Sequence, residues 1–261
     1  MRSIKAVLSI VALCLMLASQ SSAVIDSSAL EGLWLFDDGA GEVAQDSSGN
    51  NRDGDIMGGA QWVGGRYGGG LEFDGVDDQV VITGYKGIGG TAGRTTTLWY
   101  RTTQAGGQRL VCWGANDTAI KYHVRIHDTN TLRVETQGGQ LYCNTPDLAD
   151  GNWHHLAVVL PDGSDMCHDH LMYVDGVLIE DRGGNDVGVD TDIVTNDVEI
   201  GYDQWIEHGT RAKGTIDEVA IFSVALSAED IKDIMMQGFG GVILSVSPGD
   251  KLATTWASLK E

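Results

Sequence analysis

The sequence predicts an all-β fold with one short helix near its C-terminal end. Three observations carry this. Apolar runs are short and rich in β-branched and aromatic residues, and Gly, Asn or Asp bounds most of them. Glycine is abundant at 36 of 261 residues and proline scarce at three, which suits a chain of many tight turns. About a dozen runs at this spacing point to a sandwich or a barrel.

Taken in order, the predicted strands begin with "GLWLF" at residue 32, "LEF" at 71 and "QVVIT" at 79. "TTTLWYRT" follows at 95, then "QRLVCW" at 108, "YHVRIH" at 122 and "TLRVET" at 131. "WHHLAVVL" at 153 is apolar at both parities, so both its faces are covered and it lies centrally in its sheet. In "HLMYVDGVLI", Asp175-Gly176 supplies the positive φ angles of a two-residue hairpin turn. "DVEIGY" and "TIDEVAIF" complete the set. In the last, the apolar parity changes between Ile216 and Val219, which predicts a bulge.

The helix is "LSAEDIKDIMMQG". Ser227 is placed to cap it with Asp230 three residues on, Ile231, Ile234 and Met235 share a face, and Gly238 stops it. At about three turns it is too short to hold alone and must dock on the sandwich.

Residues 1–23 form a predicted secretory signal: Arg2 and Lys5, then "IVALCLMLA", then small residues ending at Ala23. The domain runs from 24 to 240, with a C-terminal extension over 241–261. Of 17 basic residues two fall in the leader, so the mature chain sets 15 against 37 acids, a formal charge of −22. That surface repels nucleic acid and anionic lipid. No later stretch is apolar enough to span a membrane. The expected location is secreted or cell-surface.

Outside the cell two of the remaining cysteines can pair. Cys112 and Cys143, both in strand-like segments, are the preferred pair, with free buried thiols as the competing outcome. "LEFDGVDDQV", residues 71–80, crowds four acids around one Asp-Gly step. Turn chemistry accounts for them, and a cation held in part by Asp74 is the alternative. "CHDH" at 167–170 lacks the further ligands zinc needs. His154 and His155, adjacent on a strand, face opposite ways, as do Asp217 and Glu218.

The residues also carry a resemblance. "GLWLFDDGAGEVAQDSSGNNRDG", "WVGGRYGGGLEFDGVDDQVVI", "GNWHHLAVVL", "LMYVDGVLI", "VEIGY" and "GTIDEVAIFSVALSAEDI", in this order, resemble a laminin-G-like jelly-roll domain of the concanavalin A-like lectin and glucanase superfamily. The resemblance implies a two-sheet antiparallel jelly-roll sandwich, binding glycans or proteins, with a structural calcium ion in some members. It places Asp217 where related glucanases hold a cation, with Asp46 and Asp74 to complete the set. An Asx-turn at Asp46 and a surface acid at Asp217 are the plainer alternative.

Glucanases of this fold draw their carboxyls from one strand as Glu-x-Asp-x-Glu, and no such run occurs here. Nor does a nucleophile elbow, a phosphate loop or a His-Glu-x-x-His. For a sugar, the loop "GYDQWIEHGTRAKG" offers Tyr202, Trp205 and His208, and "TLWYR" offers Trp99 and Arg101 on one strand face. In each place a Trp plugging the core is the rival reading. The expected function is non-catalytic binding of a glycan or surface glycoconjugate. A structural or adhesive module contacting extracellular protein, and a hydrolase or lyase with an unfamiliar catalytic set, are the alternatives.

Overall fold

Residues 25–136, 138–191, 193–202 and 211–242 are described by a computed structural model. The expected leader, and the extension beyond residue 242, lie outside them. In chain order the strands are β1 (Leu30–Trp34), β2 (Val43–Ala44), β3 (Gly54–Met57), β4 (Gln61–Gly64), β5 (Gly69–Asp74) and β6 (Gln79–Ile82). Next come β7 (Arg94–Arg101), β8 (Gln108–Gly114), β9 (Lys121–Ile126), β10 (Leu132–Thr136), β11 (Gly139–Cys143) and β12 (Trp153–Leu160). The series ends with β13 (Leu171–Val174), β14 (Val177–Leu178), β15 (Arg182–Asn185), β16 (Val198–Ile200), β17 (Lys213–Phe222) and the helix α1 (Ala228–Val242).

The strands form two antiparallel sheets, a jelly-roll sandwich. The first sheet has the order β14-β13-β12-β7-β17-β5-β4, with β1 also on β17. The second runs β15-β11-β10-β9-β8-β16-β6-β3-β2. Strand alternation decides what lies between them. Leu98, Tyr100, Leu156, Val158, Ile216 and Val219 of the first sheet meet Tyr122, Val124, Ile126, Leu132 and Val134 of the second in one buried cluster.

The opposite parity of the first sheet is apolar too, over part of its length. Ala157, Val159, Tyr173, Ala220 and Phe222 form a second cluster with Ile231, Ile234 and Phe239 of α1. The helix therefore docks on the outside of the first sheet, and this explains why β12 is apolar on both faces. Burial of Ile231, Ile234 and Phe239 contributes about 1.5–3 kcal/mol each. Ser227 caps the helix as expected: its Oγ accepts from Asp230 N at 3.1 Å, and Asp230 Oδ2 accepts from Ser227 N at 3.0 Å. Gly238 interrupts the helix at φ 64° but does not end it. The chain turns there and resumes, carrying Phe239 onto Phe222 at 6.2 Å between ring centroids.

Asp175 and Gly176 take φ of 51° and 73° in the expected hairpin. The bulge in β17 is also where the parity change put it. Register slips between Asp217 and Ala220, and Glu218 takes φ 48°.

The preferred disulfide does not form. Cys112 lies on β8 and Cys143 on β11, with β9 and β10 between them. Three strand spacings are about 14 Å, twice the Cα separation that a disulfide spans. Cys112, Cys143 and Cys167 are all buried thiols outside any disulfide.

Candidate functional site

The first sheet is only half covered by α1. Past the helix, over the ends of β5, β7 and β17, its outer face opens into a groove of about 740 Å³. Strand register assembles the floor of this groove. Gln61 on β4 stands opposite Glu72 on β5, which stands opposite Thr215 on β17. Thr215 faces Arg101 on β7, and Arg101 faces Trp153 on β12, which continues the row just past the groove's own lining. Directly opposed residues project to the same side, so an amide, a carboxylate, a hydroxyl, a guanidinium and an indole make one row across five strands.

Arg101 is held in place within that row. Its guanidinium lies over the Trp153 ring, 4.8 Å from the centroid, and one of its nitrogens donates to Thr215 Oγ1 at 3.3 Å. A planar fork seated on an aromatic face is pre-organised for paired oxygens. Glu72 and Gln61 are exposed, and Arg101 and Trp153 are partly so.

Trp99, two residues back on the same face, does not join it. It is 4% exposed, edge-on to Tyr67 at 6.0 Å and tilted against His155 at 5.2 Å. The Trp99 ring is thus a plug beneath the loop before β5 and offers no face to a sugar. Tyr202 is partly exposed, with the Arg211 guanidinium 4.6 Å above its ring. Trp205 and His208 lie outside the described residues.

The three aspartates expected to share a cation are held apart. Asp46 accepts from Leu33 N, Ser48 N, Ser48 Oγ and Arg52 N at 2.8–3.1 Å, so it builds an Asx-type turn. Those donors hold its carboxyl below the usual range against the effect of its own burial. Asp217 is fully buried, and its Oδ2 accepts from Arg66 N at 2.7 Å and Tyr67 N at 2.9 Å. Asp74 pairs with Lys213, four residues before Asp217 on β17, or about 13 Å away along the strand. Each carboxylate fastens a different piece of backbone.

Asp74 has a different partnership. Its Oδ1 accepts from Val76 N at 2.7 Å, and its own N donates to Asp78 Oδ2 at 2.7 Å, so the acids of "DGVDD" do make the turn. They also converge: ligand oxygens of Asp74, Asp77 and Asp78 lie within 4.8 Å of one another at the rim of the groove. Burial raises the Asp78 carboxyl, and Asp74 and Asp77 beside it add to the rise.

Asp217 and Glu218 were expected on opposite faces. The bulge overturns this, because the extra residue resets the alternation and both side chains arrive at Tyr67. Glu218 Oε1 accepts from Phe239 N at 3.2 Å, and Tyr67 donates its hydroxyl to Met235 O at 2.8 Å. Burial lifts Asp217 to about 7 and Glu218 to about 8, the Asp217 charge adding to the latter. Glu218 fastens α1, and Asp217 fastens the loop before β5. His154 and His155 do face opposite ways: His154 Nδ1 sits 2.8 Å from Asp175, and His155 Nε2 sits 2.7 Å from Thr97 Oγ1. "CHDH" forms a 3-10 turn at Cys167–Asp169, with the His170 ring buried against Cys167 O.

A family model described as the concanavalin A-like lectin/glucanases superfamily, of laminin-G type, matches residues 73–232. The chain belongs to this family. Solved structures agree on the fold. Domain 4 of the extracellular arabinanase AbnA from Geobacillus stearothermophilus, in complex with arabinotriose, matches with a TM-score of 0.60 at 20% identity, over 79% of this chain and 98% of that one. A Trypanosoma rangeli sialidase matches with a TM-score of 0.57 at 15% identity, over 82% of this chain but 33% of its own. A structure of botulinum neurotoxin type C, whose cell entry is dependent upon interaction with two ganglioside molecules, matches with a TM-score of 0.55 at 14% identity, over 80% of this chain and 51% of that one. No curated protein matches the chain. Among its described residues this laminin-G-like domain has no helix long and apolar enough to cross a membrane.

Within the domain, sequence reasoning found Arg101 and Asp74 of the groove but not Gln61, Glu72, Thr215 or Trp153. These four come from four strands, and only their pairing aligns them. The one signal in the sequence was Trp153, a large aromatic at an exposed strand start.

Proposed function

We propose that this domain binds a glycan along the Gln61–Glu72–Thr215–Arg101–Trp153 row, and does so without catalysing a reaction on it. The row supports this reading. Guanidinium, carboxylate, hydroxyl and amide groups in fixed order match the paired hydroxyls of a sugar, and the indole beside them gives its C–H face an apolar contact. The neighbours that share the fold include one solved with arabinotriose and one tied to gangliosides. Hydrolysis requires two carboxyls about 5–10 Å apart facing one bond; Glu72 is flanked across the strands by Gln61 and Thr215, and Asp74, two residues along the same face of β5, is engaged in its own turn, where Oδ1 accepts from Val76 N at 2.7 Å. With the predicted leader, the ligand is a glycan or glycoconjugate outside the cell.

A glycan array followed by calorimetry tests this. Arg101→Ala and Trp153→Ala should each weaken the best neutral ligand at least tenfold with little change in melting temperature. Binding that ignores both substitutions removes the row from the site. A protein that binds no glycan but captures an extracellular protein through this face supports the adhesive alternative, and release of new reducing ends from a bound polysaccharide supports the enzyme.

We also propose that a structural calcium ion sits on Asp74, Asp77 and Asp78 instead of the expected trio. Each has a carboxylate oxygen at the cluster, and a divalent cation would relieve the crowding of three acids. Calcium should raise the melting temperature by several degrees over chelator, and Asp77→Asn should abolish the difference. Equal melting in both conditions removes the ion.

A further inference from the structure

The end of β12 nearest the groove is tied down by one histidine between two aspartates. His154 Nδ1 is 2.8 Å from Asp175 Oδ2, in the turn of the β13–β14 hairpin, and its Nε2 is 3.2 Å from Asp150 Oδ1, in the loop that leads into β12. An ionised carboxylate accepts and does not donate, so each contact needs a proton on the ring nitrogen that faces it. A neutral imidazole carries one N–H and serves one of the two, leaving the other carboxylate against a lone pair. Both contacts together belong to the imidazolium. Asp150 also shapes its own loop: Oδ1 accepts from Asn152 N at 2.8 Å and Oδ2 from Asn152 Nδ2 at 2.7 Å. The His154–Asp150 contact therefore closes a small ring of chain around Gly151, Asn152 and Trp153. Gly151 lines the groove, where its N donates to Thr102 O at 2.9 Å, and Trp153 carries the Arg101 guanidinium at the end of the row. Asp175 has a second hold on β12, its Oδ1 accepting from His155 N at 2.9 Å. The longer contact, to Asp150, is thus the one a neutral ring gives up.

We infer that His154 is a positioning residue for the glycan groove, an inference that rests on the row being the site. With its proton, His154 holds the turn from Asp150 to Trp153 against the groove. Loss of the proton frees that turn, so glycan affinity falls as the medium becomes alkaline. The groups around the ring favour its charged form. The hydrogen bond to Asp175 is the largest influence and holds His154 above its ordinary 6.5 against its own burial, with Asp150 adding to the rise. Burial works to raise Asp175, but the bonds from His154 and His155 N hold it below the usual range. Asn152 lowers Asp150 in the same way, and His154 adds to it. Tyr100, directly opposite His154 on β7, is a phenol that burial keeps protonated. His155 points the other way, and burial keeps it neutral. Arg101 stands opposite Trp153, on the other face of the sheet. Of these groups the His154 ring alone changes charge near neutral pH. Because its folded value is raised, the double contact is complete at low pH and is lost as pH rises through that value.

Two measurements on the full chain test this. Nuclear magnetic resonance follows the His154 ring and the Trp153 indole N–H, the latter assigned with Trp153→Phe, from about pH 5.5 to about pH 8.5. His154 should titrate above 6.5, and the Trp153 signal should move with the same midpoint. Calorimetry with the best neutral ligand from the glycan array should show affinity falling about threefold or more through that midpoint. His154→Gln, which donates one hydrogen bond at every pH, should give a flat profile. Asp150→Asn, which keeps an acceptor for Asn152 N, should move the midpoint down. Glu218→Gln should leave the binding profile as in the parent, which separates this clamp from the buried acid pair. If glycan binds and His154→Gln keeps the parent's profile, the row stands and the clamp falls. If no glycan binds at all, the row fails and the effect on affinity falls with it. The inference is also overturned if His154 titrates at or below 6.5, or if the Trp153 signal does not follow it.

Discussion

Two neighbouring acids in a strand point apart unless one of them is itself the extra residue of a bulge, as happens in β17. The inserted residue is Glu218, in left-handed backbone at φ 48°. Its cost is a pair of buried carboxyls on one side, near Asp37, whose charge raises both. The linkage follows from their direction of shift. Asp217 and Glu218 ionise at 3.8 and 4.5 ordinarily and at about 7 and 8 here. Between those limits the folded state holds more protons than the unfolded one, so stability declines as pH rises from about 4 to about 8 and levels above it. His154, raised by Asp175, adds a loss in the same direction. Denaturant midpoints measured across this range should fall with pH, and Glu218→Gln, which keeps an acceptor for Phe239 N, should flatten the decline. A parent curve with no slope would show the pair to be ionised at little cost. Asp46 acts the other way: with four donors on one carboxylate, Asp46→Ala should cost about 2–4 kcal/mol, read from urea unfolding.

At the scale of elements, the helix shows how little local pattern says about where a segment ends. Its cap, its buried face and its breaking glycine are all visible in "LSAEDIKDIMMQG". The turn beyond Gly238 is not, because Phe239 and Val242 become helical only by packing on Phe222 and its neighbours. Phe239→Ala should therefore cost about 3–5 kcal/mol, whereas Ser227→Ala should cost about 1 kcal/mol. Gly238→Ala should also destabilise, since a Cβ would stand 2.9 Å from Glu218 Oε1 in left-handed backbone. Thermal melts of the three variants order these effects. Strands show the same limit. The long apolar runs were legible, but β3, β4 and β15 were not, being short and rich in glycine or polar residues. They exist because a neighbouring strand offers them a ladder.

For the whole molecule, the three described cysteines set a direct check. Burial pushes Cys143 up to about 12 and Cys167 up to about 11, so the native protein should react slowly with alkylating reagents. Denaturation without reductant should release all three thiols, and fewer would signal pairing between molecules. The error over Cys112 and Cys143 has the same origin as the error over Asp46, Asp74 and Asp217. Closeness in type and context is not closeness in space, and strand order decides which residues meet. By itself the sequence determined an all-β fold, the central place of β12, the Asp175-Gly176 hairpin, the bulge in β17 and the capped helix. All of these follow from alternation, turn chemistry and periodicity within a few residues. Tertiary structure alone decided the transverse row that ends at Trp153. It draws single residues from strands as far apart in the chain as β4 and β17, and cross-strand register, the only thing that lines them up, is a property of the folded sheet.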